Sequence, residues 1–222
     1  MLFLPGRKVV TRSPHRRVGY VSCPWFQDTQ IQYESLLELS FVRNALLCPM
    51  VQAIEAQPFK IELDGGALYT PDFLLSCEGL ERIVVEVKPT VFISKHRDKL
   101  NQAKGVLEAH GYTFLVCSDD EIHADKRHER ASLILRYARS QEVLNAVDCL
   151  CIGAERQPYP SSVDALSLRW GLSFHQVMSL IGRRELFLRS DLSLDCVFSP
   201  EAYKESSYGP LSPSSWLGYT DW

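Results

Sequence analysis

The chain has 222 residues, 45% of them hydrophobic, and a formal charge of −3. That is enough apolar material for one good core and a small second one, while a charge this close to neutral carries no global signature of a nucleic-acid binder, so local charge decides. Seven scattered cysteines, an odd number with no CxxC pair, exclude a disulfide framework and a structural zinc site and point to a reducing, cytoplasmic setting.

The first 30 residues read as an irregular arm. It carries Arg7, Lys8, Arg12, Arg16 and Arg17 and no acid before Asp28. Such a run is either a solvated tail or an arm that contacts DNA phosphates. A short apolar start followed by basic residues is the wrong order for a signal peptide, and no apolar stretch is long enough to cross a membrane. From Gln32 to Leu47 the spacing predicts a helix with Leu37, Phe41 and Ala45 on one side. Glu34 and Glu38, four apart, point the same way on it. Two short strands follow around Gln57-Pro58, then a turn at Asp64-Gly65-Gly66.

The stretch Tyr69 to Pro89, YTPDFLLSCEGLERIVVEVKP, reads as two strands joined by a polar turn. In a strand, alternate residues share a face, so Glu86 and Lys88 project together and Val85 and Val87 go the other way. Asp72 at the start of one strand can then meet Glu86 and Lys88 at the end of its neighbour. Two adjacent carboxylates repel unless a cation sits between them. An oxygen-only pair suits Mg²⁺, and a lysine beside it can orient a water or stabilise charge on a phosphoryl transition state. The plainer alternative is a salt bridge at a strand end.

After Pro89 the spacing predicts an amphipathic helix, closed by Gly111, whose exposed side carries Lys95, Arg97, Lys99 and Lys104. Residues 112–118 read as a fully apolar strand, and residues 119–151 as one or two helices. Gly153 to Ser162 has the composition of a linker. Ser161 with Asp164 resembles a capping box for a short helix. Gly171 then marks a turn, and Ser173 caps a second helix bearing Phe174, Val177, Met178 and Ile181. Arg183 and Arg184 at its end either meet phosphates or complement the helix dipole. Residues 185–194 read as a small two-stranded wing. The tail from Glu205 is rich in Ser, Pro and Gly yet holds Tyr208, Trp216, Tyr219 and Trp222, aromatics suited either to folding back or to docking on a partner.

The segments PDF and EVK resemble the PD-(D/E)xK nuclease motif. The wider run from YESLLELSFVRNALL through YTPDFLL to VVEVKP resembles the TnsA endonuclease family of heteromeric transposases, over roughly Gln32 to Ser140. The resemblance implies an α/β fold: a restriction-endonuclease-like mixed sheet flanked by helices over 1–152, a small winged-helix-like domain over 153–200, and an aromatic tail over 201–222. It implies Glu38, Asp72 and Glu86 as acids holding Mg²⁺, with Mn²⁺ able to substitute, and Lys88 as the catalytic lysine. Family members can carry Gln at the position of Glu86. Glu34 competes with Glu38 for the helical role, and Gln57 lies near the site or stabilises its turn. The implied activity is cleavage of the 5′ strand at double-stranded transposon ends. The implied partners are a TnsB-like transposase that cuts and joins the 3′ strand and a TnsC-like AAA+ regulator, in bacterial cytoplasm at the nucleoid and without a membrane. Arg7, Lys8, Arg12, Arg16, Arg17, Lys95, Arg97 and Lys99 are the DNA-contacting residues expected. The alternatives are a restriction or repair enzyme of the same core acting alone, a non-catalytic DNA-binding adaptor, and a helix-turn-helix repressor.

Overall fold

The apolar runs on either side of residue 80 form the middle of a four-stranded sheet. The computed structural model describes residues 4–5, 17–139, 161–206, 212–220 and 222. In chain order the strands and helices are β1 (Leu4–Pro5), β2 (Gly19–Cys23), β3 (Gln27–Tyr33), α1 (Leu36–Leu47), β4 (Val51–Ala56), β5 (Phe59–Glu62), β6 (Leu68–Tyr69), β7 (Phe73–Cys77), β8 (Arg82–Val87), α2 (Thr90–Glu108), β9 (Thr113–Cys117), α3 (Asp119–His123) and α4 (Arg127–Ala138). Beyond residue 160 come α5 (Val163–Trp170), α6 (Phe174–Gly182), β10 (Phe187–Leu188), β11 (Val197–Phe198), α7 (Pro200–Glu205) and α8 (Pro213–Leu217).

The main sheet runs β4-β7-β8-β9, antiparallel except for the β8–β9 pair. Strands β7, β8 and β9 are largely apolar on both faces because both faces are covered, whereas the edge strand β4 exposes Gln52 and Glu55. Phe73 and Leu75 on β7, Ile83, Val85 and Val87 on β8, and Leu115 and Cys117 on β9 enter the core that contains Phe41, Ala45, Ile134 and Leu135 of α1 and α4. The alternate residues Leu74, Val84, Phe114 and Val116 pack with Ile93, Leu100, Ala103 and Leu107 of α2. This is a mixed sheet between helices, an α/β arrangement. Among the described residues no helix is long and apolar enough to cross a membrane.

Several local expectations need correction. Residues 19–33 are an antiparallel hairpin, β2 with β3, and the arm is ordered there. Gln32 and Tyr33 therefore belong to a strand, and α1 begins at Leu36, capped by Ser35. Glu34 precedes the helix, so only Glu38 of the two acids lies on it. Arg7, Lys8, Arg12 and Arg16 lie outside the described residues, as does the linker before residue 161, while Arg17 is exposed.

In the last third, α5 and α6 meet at Gly171, whose φ of 64° is readily adopted by glycine. Ser162, not Ser161, caps α5, because Ser161 bridges to Val197. Ser173 and Gln176 form a full capping box on α6. The strand that pairs with Phe187–Leu188 is Val197–Phe198, later than expected. Helix α6 is buried from Val177 to Gly182. A Cβ at Gly182 would stand 2.6 Å from the Ala138 methyl and 2.9 Å from the Ile134 carbonyl oxygen, so glycine permits the close approach of α6 to α4. Arg184 turns inward, donating to the carbonyls of Cys48 (3.0 Å) and Pro49 (2.6 Å) at the end of α1. Arg183 donates to the Ala138 carbonyl at 3.2 Å. Neither arginine is a bare phosphate contact.

The described part of the tail folds back. Trp216 is fully buried. Arg127 donates to the Trp216 and Leu217 carbonyls at 3.1 and 3.2 Å. Thr220 N–H donates to the Val116 carbonyl, occupying part of the open edge of β9. Cys117 donates to the Gly218 carbonyl, and burial pushes its thiol up to about 12.

Candidate active site

The register of β7 and β8 pairs Phe73 with Val85. One step out, Asp72 therefore stands opposite Glu86. Both lie on the α2 side of the sheet by strand alternation, two residues from Leu74 and Val84 respectively. Asp72 is fixed from two directions. Its backbone carbonyl accepts from Gln57 N–H at 2.8 Å, and its Oδ2 accepts from Val87 N–H at 2.8 Å. Gln57 makes that contact from a left-handed conformation (φ 45°) at the turn between β4 and β5, a strained setting for a non-glycine residue. Its role here is to hold Asp72, and its side chain is buried.

Glu86 is buried and gripped at both oxygens. Lys88 Nζ lies 2.8 Å from Oε1, and the Tyr69 hydroxyl donates to Oε2 at 2.6 Å. The expected same-face placement of Glu86 and Lys88 is thus present as an ion pair. Tyr69 was not anticipated. The available signal was a tyrosine on an apolar strand, since a buried phenol needs a polar partner.

Glu38 sits in the first turn of α1, where its Oε2 accepts from Glu34 N–H (2.7 Å) and its Oε1 from the Ser35 hydroxyl (2.9 Å). It therefore serves the helix start while remaining close enough to affect Asp72. Burial, then the charges of Glu86 and Glu38, push the Asp72 carboxyl well above its ordinary value, and the Val87 amide and Lys88 pull it partly back. Burial also raises Glu38, opposed by the Glu34 amide and the Ser35 hydroxyl, with the Glu34 and Glu86 charges adding to the rise. The Tyr69 phenol is pushed well up by burial and by Glu86. Among the described residues no group of three or more His, Cys, Asp or Glu side chains is disposed to hold a metal ion unaided.

The expected cations on α2 divide. Lys99 lies over the Tyr69 ring at 5.4 Å, beside the site, whereas Lys104 lies over Trp222 at 6.0 Å. Lys95 and Arg97 are exposed.

This electrostatic arrangement predicts a stability–pH relation. A carboxyl raised on folding binds its proton more tightly in the native state. Its ionisation therefore costs stability progressively as pH rises from the unfolded value near 3.8 through the raised native one. Asp72→Asn keeps an acceptor for Val87 N–H and removes the charge. It should raise Tm at neutral pH by roughly 2–8 °C, if ~1–2 kcal/mol of repulsion is relieved at ~2–4 °C per kcal/mol. The gain should shrink towards zero at the acid end. Calorimetric melts across pH check this, and equal melting of the two proteins at neutral pH contradicts it.

No family model matches the sequence, and no curated protein matches it.

Proposed function

We propose that the protein is a divalent-metal-dependent DNA endonuclease of the PD-(D/E)xK type. It serves as the 5′-strand-cutting subunit of a TnsA-like heteromeric transposase. The observation that carries the chemistry is the placement of Asp72 across from Glu86, with Lys88 ion-paired to Glu86, in surroundings that drive the Asp72 carboxyl up. Two hard oxygen ligands that repel one another fit Mg²⁺ or Mn²⁺, which commonly take one or two carboxylates and complete the shell with water and substrate phosphate. Asp72 and Glu86 would hold the ion. Glu38, engaged with Ser35 and the Glu34 amide, acts on Asp72 through its charge. The ion would supply Lewis-acid polarisation of the phosphoryl oxygen and a more acidic bound water.

The protein groups then have defined tasks. Lys88 lies where its ammonium can orient the attacking water and stabilise the negative charge that builds on the phosphoryl oxygens. In the hydrolysis, water oxygen bonds to phosphorus and the bond from phosphorus to the leaving sugar oxygen breaks. The Val87 amide and Gln57 keep Asp72 in place, and Tyr69 keeps Glu86 in place. The transposase setting, with a TnsB-like partner, a TnsC-like regulator and double-stranded element ends as substrate, rests on the sequence resemblance. So does the location at the bacterial nucleoid. The restriction-endonuclease-like and winged-helix-like assignments of the two regions belong to the same proposal, supported by the mixed sheet and by the α5–α6 pair with its following hairpin.

A non-catalytic DNA-binding adaptor is the second reading, favoured by the engagement of both Glu86 oxygens by Tyr69 and Lys88. Crystals grown with duplex DNA and Mn²⁺ separate the two. The nuclease reading expects an anomalous peak between Asp72 and Glu86. A featureless map there, with DNA bound, supports the adaptor.

A further inference from the structure

Helix α2 starts two residues after Lys88, and its first turn breaks the usual pattern of a helix end. Ile93 is buried against the sheet, while Val91 is 76% and Phe92 50% exposed. An exposed valine next to a half-exposed phenylalanine beside a charged site is an apolar pair of the kind that marks an interaction surface. The start of the helix is otherwise firmly held. Thr90 donates through its N–H to Asp119 Oδ1 at 2.7 Å and through its hydroxyl to Asp119 and Asp120. The exposure is therefore the arrangement of an anchored turn.

At about 100° per residue, Val91, Phe92, Lys95 and Lys99 fall within one arc of roughly 100° on α2, with no acid among them. Arg97 lies outside that arc, and Asp98 borders it, about 20° beyond Val91. Lys99 fixes which way the flank faces. It sits over the Tyr69 ring at 5.4 Å, and Tyr69 donates to Glu86. The flank thus begins two residues after Lys88 and is tied, two turns on at Lys99, to the neighbour of Glu86.

We infer that this flank of α2 is the track for the DNA strand at the cleavage point. Lys95 and Lys99 bind successive phosphates, and Phe92, with Val91 beside it, packs on the face of a base next to the reacting phosphate. The inference rests on the nuclease reading for the identity of the reacting phosphate. Cations spaced one helical turn apart match a backbone, and an exposed aromatic beside them matches a base face, a contact that tolerates any sequence.

The test uses the full chain, a fluorescein-labelled duplex of about 30 base pairs and no divalent metal, with anisotropy titrations over a salt series. The Lys95→Ala, Lys99→Ala double variant should lose two phosphate contacts, lowering the slope of log affinity against log salt by ~1.8. Phe92→Ala should bind ~10-fold more weakly with the slope unchanged. Leu168→Ala, at a residue 88% exposed on α5, should bind as the parent does. Thermal melts keep a folding defect from passing as a binding defect, because Phe92 is half exposed and its loss should leave Tm in place. Parental affinity and slope in the α2 variants, or no duplex binding by the parent chain, overturns the track. A nicking assay with Mn²⁺ on the same DNA keeps the two ideas apart. Nicking by the parent with unaltered binding by the α2 variants removes the track and leaves the nuclease. Absent 5′-strand nicking even at element ends with a TnsB-like partner added, together with the predicted binding losses, removes the nuclease and leaves the track as a DNA surface.

Discussion

If the proposed nuclease activity is correct, Lys88→Ala is expected to slow cleavage of the 5′ strand by roughly a hundred- to a thousandfold, the loss a single oxyanion donor accounts for. The protein should still fold. Lys88 is half-buried at the end of β8, and its N–H, which donates to the Cys117 carbonyl at 3.1 Å, is retained in the variant. Its removal leaves Glu86 with the Tyr69 hydroxyl as partner, so a modest loss of Tm is expected alongside the large catalytic one. In the transposase setting, 3′-strand cleavage by the partner should continue, and the element should move by copying because its 5′ strands stay joined to the donor. The measurement is strand-specific cleavage at labelled element ends with the partner present. Normal double-strand excision by the variant removes Lys88 from the mechanism.

Trp216→Ala should lower stability strongly for a single substitution. The indole is fully buried in the main core, under the Arg127 guanidinium at 5.0 Å. Truncating a buried tryptophan costs about 3–5 kcal/mol, or a Tm loss of roughly 6–20 °C for a chain of this size. Removing residues 212–222 altogether should cost more. It also strips Arg127 of its two carbonyl partners and leaves a buried cation unsatisfied. Tail removal that leaves Tm unchanged and abolishes binding to the proposed TnsC-like regulator would show instead that the tail's work is docking. Of the tail aromatics whose side chains are described, Tyr219 is the one that remains about half exposed.

Elements whose pattern is local were legible in the sequence. The β7–β8 pair declared itself through two apolar runs around a polar turn, and β9 through the apolar run Phe114 to Cys117. Strand alternation alone put Glu86 and Lys88 on one face, and they meet there at 2.8 Å. The Ser173 cap and the Gly171 turn were likewise readable, because a cap needs only residues three apart and a left-handed turn needs only its glycine. The β2–β3 hairpin was missed for a related reason. Its second strand, QDTQIQY, buries Ile31 while most of its other side chains stay partly or fully exposed, so it offers almost no period of two to detect.

The tertiary structure alone decided which groups serve which task. Tyr69 reaches Glu86 across 17 residues of sequence, Arg184 reaches Cys48 across 136, and Arg127 reaches Leu217 across 90. Nothing near those residues in the chain distinguishes an arginine that clamps buried carbonyls from one that awaits phosphate. Periodicity assigns a side chain to a face. The partner on that face is supplied by another part of the chain, and the low dielectric of the interior then makes the pairing count. Burial is what lifts the Asp72 carboxyl, and burial depends on how α1, α2 and the sheet close over the strand ends together.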